Sequence, residues 1–162
     1  MKDNKSKFKI RFAKEEDSQL ILKFIKELAD YEKLLDQVEA TTEKIKESIF
    51  EKKQAEVLIA EVDKKAVGFA LFFHNYSTFL GWANLYLEDL YVIPEARGQG
   101  YGKKLFKKLA EIAVDRGCKR LDWWCLDWNQ SSIDFYKSIG AKAMDEWTVY
   151  RLEDQALKKM AK

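Results

Sequence analysis

Leu85-Tyr86-Leu87-Glu88-Asp89-Leu90-Tyr91-Val92-Ile93, then Pro94-Glu95-Ala96, then Arg97-Gly98-Gln99-Gly100-Tyr101-Gly102, reads as an apolar strand, a stop and a glycine loop in immediate succession. An amphipathic helix follows, with Leu105, Phe106, Leu109 and Ile112 on one side and Lys103, Lys104, Lys107 and Lys108 on the other. Glycines at alternate positions let the backbone come close to a ligand, and the start of the helix aims unpaired N–H groups and the positive end of its dipole at an anion. A pyrophosphate cradle is the reading this order favours; a glycine-rich turn with no ligand is the alternative. The R-x-x-G-x-G spacing fits neither a Walker loop nor a dinucleotide fingerprint.

Outward from that unit, Phe8, Ile10 and Phe12 alternate as a half-buried strand. Asp17 or Ser18 can cap a helix whose stripe is Leu20, Ile21, Phe24, Ile25 and Leu28, extended by Tyr31 to Leu35. Thr42, Ile45, Ile49 and Phe50 mark a shorter helix. Val57 to Val62 and Val67 to Phe73 form a hairpin across Asp63-Lys64-Lys65, and Asn75 to Trp82 reads as a loop. The helix from Tyr101 to Ala113 is closed by Gly117; a strand at Leu121 to Leu126, a helix at Gln130 to Ile139, a last strand at Glu146 to Leu152 and a short helix complete the chain. The order βααβββαβαβ predicts an α/β (α+β) fold with a mixed central sheet covered by helices on both faces. One domain over residues 1–162 is expected, with residues 1–7 flexible.

With 47% hydrophobic, 14% aromatic and 35% charged residues and one proline, the composition is globular. The charge of +2 sums 29 basic and 27 acidic side chains, too balanced a field to imply nucleic acid or an anionic membrane as partner. Cys118 and Cys125 have no neighbouring histidine, so no metal site is expected and a reducing compartment fits. Met1 to Phe8 is polar with no apolar core behind it, and no run approaches spanning length; a soluble, cytoplasmic protein follows.

Several motifs agree in order: Lys26-Glu27-Leu28-Ala29, Tyr31-Glu32, Asp36-Gln37-Val38, Leu85-Tyr86-Leu87-Glu88-Asp89, the R-x-x-G-x-G loop, Asp127-Trp128-Asn129-Gln130 and Asp134-Phe135-Tyr136-Lys137. The chain resembles the GNAT superfamily of acetyl-CoA-dependent N-acetyltransferases, and within it the diamine branch of spermidine/spermine and thialysine types. That resemblance implies acetyl-CoA as cosubstrate, a small-molecule amine as acceptor, and a homodimer using the last strand around Trp147 to Leu152. It also implies that Arg97, Gly98, Gln99, Gly100, Tyr101, Gly102 and Lys103 hold the CoA pyrophosphate, and that the backbone of Leu90, Tyr91 and Val92 pairs with pantetheine. Asn129, Gln130 and Ser131 match a further CoA contact, Tyr136 the general acid toward the CoA sulfur, and Tyr31 and Glu32 the amine contacts.

Acetyl transfer to an amine needs a proton acceptor, oxyanion stabilisation and a proton for the leaving thiolate. Glu88 is the expected acceptor. Alternation along a strand sends it and Asp89 to opposite sides, with Asp89 structural. The oxyanion donor is expected from a backbone N–H near Tyr91 or Val92. The sole histidine, His74, reads as a surface residue, and Cys125 as a buried, inert thiol. Read without the resemblance, Tyr136 is a core aromatic and Glu32 a solvated helix-end carboxylate. Ser131 stands where the spermidine/spermine type has proline, and Asp115-Arg116-Gly117-Cys118 is closer to the thialysine type. A protein lysine or N-terminus as acceptor, and an acyl-CoA-binding module without turnover, are the other functions compatible with these residues.

Overall fold

The computed structural model describes residues 7–162. Of the start expected to be flexible, residues 1–6 lie outside that range. The Lys7 amide donates to Asp63 Oδ1 at 2.8 Å and its carbonyl accepts from the Asp63 amide at 3.1 Å. Two compact units divide the chain, one running to Trp124 and the other spanning Cys125–Lys162.

The first unit holds a five-stranded sheet in the order β1 (Phe8–Phe12), β2 (Glu56–Val62), β3 (Lys65–Ser77), β4 (Trp82–Val92), β5 (Leu121–Trp123). The first four strands pair antiparallel, and β5 lies parallel to β4. Asp63 and Lys64 take φ of 49° and 67°, the mirror-image turn whose twist matches a two-residue hairpin. Asn75 and Tyr76, expected in a loop, instead pair with Asn84 and Ala83. Polar side chains do not bar a strand here: the ladder satisfies the backbone whatever the side chain, and the buried Asn84 accepts from the Lys119 amide at 3.2 Å.

Helix α1 (Ser18–Tyr31) is anchored at its start by Asp17, whose carboxylate accepts from Arg11 at 2.7 and 2.9 Å and from the Lys14 amide at 2.7 Å. Arg11 holds that carboxyl below its ordinary range. The helix stops at Tyr31 rather than running to Leu35, because Lys33 turns to φ 61° and the Leu34 amide closes back on the Ala29 carbonyl at 2.8 Å. Ile21 and Phe24 of α1, with Ile45 of α2 (Thr42–Ile45) and Ile49 of the wide turn Lys46–Glu51, pack on Val57, Ile59, Phe69 and Tyr91. The Phe24 ring lies 5.5 Å from Phe69 and 6.0 Å from Tyr91.

Helix α3 (Tyr101–Asp115) covers the opposite face of the sheet. Its Gly102 sits over Leu90 and Val92, whose side chains alternate with that of Tyr91; an added Cβ would meet them at 3.8 and 3.9 Å. Helices on both faces of a mixed sheet are therefore observed, as the element order predicts.

The second unit carries α4 (Gln130–Ser138) and α5 (Asp154–Met160). Two expectations are corrected here: the strand beginning at Leu121 ends at Trp123, and residues 146–152 form no strand. Trp147, Val149, Tyr150 and Leu152 have a strand-like composition but are exposed, and a strand exists only where a neighbour accepts its ladder.

Candidate active site

The phase of the β3–β4 ladder decides what β4 can offer a ligand. The Ile93 amide donates to the Val67 carbonyl at 2.9 Å, so Tyr91, two residues back, directs its amide and carbonyl at Phe69, while those of Leu90 and Val92 face the other way. β5 pairs only with Leu85 to Leu87, so among the described residues no strand lies along this edge beyond Leu87. Three consecutive residues were expected to meet an extended ligand. A strand edge offers every second residue, which removes the Tyr91 backbone and keeps Leu90 and Val92. The Val92 carbonyl already accepts from Arg97 Nε at 2.9 Å, leaving the Val92 amide and both polar groups of Leu90 on the edge.

Immediately after this edge, Gly98 and Gly100 both sit at φ 77°, a conformation costly for other residues, with open space where a side chain would point. Gly100 gives α3 no side-chain cap, and the Lys104 amide is the first to reach back, to Gly100 at 3.1 Å. The amides before it thus form a run of donors at a helix start. The side chains around the loop brace it. Tyr101 donates its phenol to Gln99 Oε1 at 2.9 Å, its ring stacks on Phe8 at 4.8 Å, and the Lys104 ammonium lies 4.5 Å above Phe8. Gln99 and Tyr101, expected at the cofactor, therefore have their side chains turned to holding the loop.

The strict alternation expected at Glu88 and Asp89 is interrupted for a local reason. Leu71 pairs with Asp89 and Phe72 with Leu87, which makes Glu88 the extra residue of a β-bulge. Strict alternation is lost there, and Glu88 acts electrostatically on both Asp89 and Tyr86. Burial first, then Glu88, then Glu32 push Asp89 up to about 7. Burial also raises Glu32, and burial with Glu88 and Asp122 lifts Tyr86 to about 12. Arg97 closes the group: its guanidinium lies 5.1 Å from the Tyr31 ring and 5.6 Å from the Tyr91 ring.

Glu32 and Glu88 thus act on Asp89 around the bulge, with Arg97 against Tyr31 at the end of α1. Asp89 is the residue that sequence reasoning set aside. Its signal in the sequence is a second carboxylate at the end of an apolar strand, and strand alternation does not hold across a bulge. His74 is exposed and lies 3.5 Å from Arg116, which is ion-paired with Glu56, in keeping with a surface residue.

In the second unit, Asn129 Oδ1 accepts from the Ser132 amide at 3.3 Å and caps α4, and Gln130 Nε2 donates to Asp134 at 2.7 Å. Ser131 is exposed, and Tyr136 is half-buried with its ring 5.5 Å from Phe135. Among the described residues no group of His, Cys, Asp and Glu is arranged to hold a metal, and no helix is long and apolar enough to cross a membrane.

This combination of an open strand edge, a donor-rich glycine loop and a bulge carrying carboxylates coincides with a family match: the model described as acetyltransferase (GNAT) family matches residues 21–141. The chain belongs to the acetyltransferase (GNAT) family. The GNAT match runs through both compact units. Thialysine N-epsilon-acetyltransferase of Bos taurus is 43% identical over 94% of this chain and 96% of its own length. Spermidine/spermine N(1)-acetyltransferase-like protein 1 of Homo sapiens is 35% identical over 95% of this chain and 24% of its own. Among solved structures, an integron cassette protein from the mobile metagenome of V. cholerae superposes with a TM-score of 0.80 at 31% identity, covering 96% of this chain and 98% of that one. GNAT membership with relatives of this closeness makes the chain an acetyl-CoA-dependent N-acetyltransferase.

Proposed function

We propose that this acetyltransferase moves an acetyl group from acetyl-CoA to a primary amine of a small di- or polyamine or of a lysine-like amine, by direct attack in a ternary complex. The observation that carries the reading is the acidic bulge beside the open edge, where Glu32 and Glu88 act electrostatically on Asp89. A dication presents one nitrogen to react and one ammonium to hold, and this cluster offers carboxylates for both. The name of the bovine relative supports the lysine-like end of the range.

The residues fit the cosubstrate. The amides of Gly98 to Lys103 would hold pyrophosphate oxygens, and the Leu90 amide and carbonyl on the open edge would pair with pantetheine amides, as an added strand does. An alkyl ammonium titrates at ~10.4, so about one molecule in 2,500 is neutral at pH 7. Asp89, titrating near neutrality, takes that proton; Glu88 and Glu32 hold the remaining ammonium. The Val92 N–H stabilises the oxyanion, and Tyr136 returns a proton to the thiolate. Cytoplasmic location and a homodimer belong to the same reading, the dimer supported by the exposed Trp147, Val149, Tyr150 and Leu152 and measurable by light scattering.

The test is CoA release from acetyl-CoA with spermidine, short diamines, thialysine, lysine and a lysine peptide, each across a pH range. Turnover of one free diamine or lysine-like class, rising with pH, is expected. Turnover of the peptide alone moves the acceptor to protein, and binding of acetyl-CoA without turnover on any amine overturns the reading.

A further inference from the structure

Arg97 belongs by position to the cofactor loop, yet its side chain does not reach along the loop. Nε donates to the Val92 carbonyl at 2.9 Å, which fixes the end of the edge that faces the ligand. The guanidinium is shared between the rings of Tyr91, in β4, and Tyr31, in the last turn of α1, at 5.6 and 5.1 Å. Glu32 follows Tyr31 directly, and α1 ends there in a closure through Lys33 and Leu34. One planar side chain therefore touches the β4 edge and the end of the helix that carries Tyr31 and Glu32.

We propose that Arg97 is a positioning residue that couples the two halves of the site: occupation of the β4 edge and glycine loop by CoA orders the end of α1 through the Val92–Arg97–Tyr31 contacts and so raises affinity for the amine. The inference rests on the acetyl-transfer reading for its meaning but not for its test. Coupling of this kind is reciprocal, so the amine tightens CoA by the same factor. It also depends on shape as well as charge. Lysine keeps the positive charge but lacks the planar group that donates through Nε while stacking on two rings.

Hydrogen exchange in a peptide covering residues 27–35, measured with and without saturating CoA, reads the coupling with no amine present. In the parent protein CoA is expected to slow exchange there by several-fold; in Arg97→Lys, and in Tyr31→Leu where the β4 contact of Arg97 is intact, that protection is lost at equal CoA occupancy. Steady-state kinetics gives the second readout: Arg97→Lys raises the amine KM about tenfold at saturating acetyl-CoA, and the further rise caused by Tyr31→Leu is smaller in the Arg97→Lys background than in the parent. The proposal is overturned if CoA leaves residues 27–35 unprotected in the parent, if Arg97→Lys keeps the protection, or if the two substitutions act additively on the amine KM. A parent that turns over no amine sinks the functional reading alone, since the exchange result stands apart from it.

Discussion

At the scale of the residue, Asp89 links stability to chemistry. Its folded pKa of about 7 lies above the ordinary carboxyl value, so between about pH 4 and pH 7 the folded state holds a proton that the unfolded chain has released. Stability therefore falls as pH rises through that window, by up to about 4 kcal/mol, and the whole penalty is present at pH 8. Asp89→Asn removes it. The variant is expected to melt above the parent at pH 8, with the gap closing near pH 4, while kcat/KM for the amine drops about a hundredfold or more and its limb near pH 7 disappears. Equal melting shifts at both pH values would show that the carboxyl is not held protonated. A retained limb near pH 7 would move the base elsewhere. The adjacent carboxylates were legible as candidates from the sequence; which one titrates was not, because the two-for-one pairing opposite Leu71 and Phe72 depends on β3.

At the scale of the element, the strand, glycine loop and helix around Arg97 were readable because each carries its own local signal: apolar run, proline stop, glycines, amphipathic period. The last strand was not, since residues 146–152 have the composition of a strand without any ladder in the structure. The Tyr91 backbone was misassigned for a related reason, as ladder phase is a property of two strands. Within the loop, Gly100 at φ 77° has open space around its missing side chain, so substitution there acts through backbone strain alone. Gly100→Ala is expected to weaken acetyl-CoA binding by about 1–2 kcal/mol, with Gly100→Asn milder and Gly100→Val worse, the order in which side chains tolerate this conformation. Calorimetric titration of CoA decides it. Equal losses for Asn and Val would mean that side-chain bulk near the ligand matters instead.

At the scale of the whole molecule, a formal charge of +2 covers two local groups of opposite sign. The first unit gathers Glu32 and Glu88 electrostatically around Asp89 in β4, while α3 begins with Lys103, Lys104, Lys107 and Lys108, the last two ion-paired with Glu111 at 3.9 and 3.5 Å. A site that takes an anionic cosubstrate and a cationic acceptor at once is served by such a split, which a net basic or acidic field would favour for one partner and oppose for the other. Screening exposes the split. Raising ionic strength from about 0.01 to 0.1 M shortens the Debye length from about 30 to 10 Å, so partially exposed carboxylates lose reach toward a distant ammonium. The kcat/KM for a diamine is therefore expected to fall several-fold across that range, that for a monoamine of equal length to fall less, and kcat for either to stay within about twofold. Parallel salt curves for the two amines would mean that the carboxylates act only on the reacting nitrogen, and that the second charge of the acceptor is not recognised.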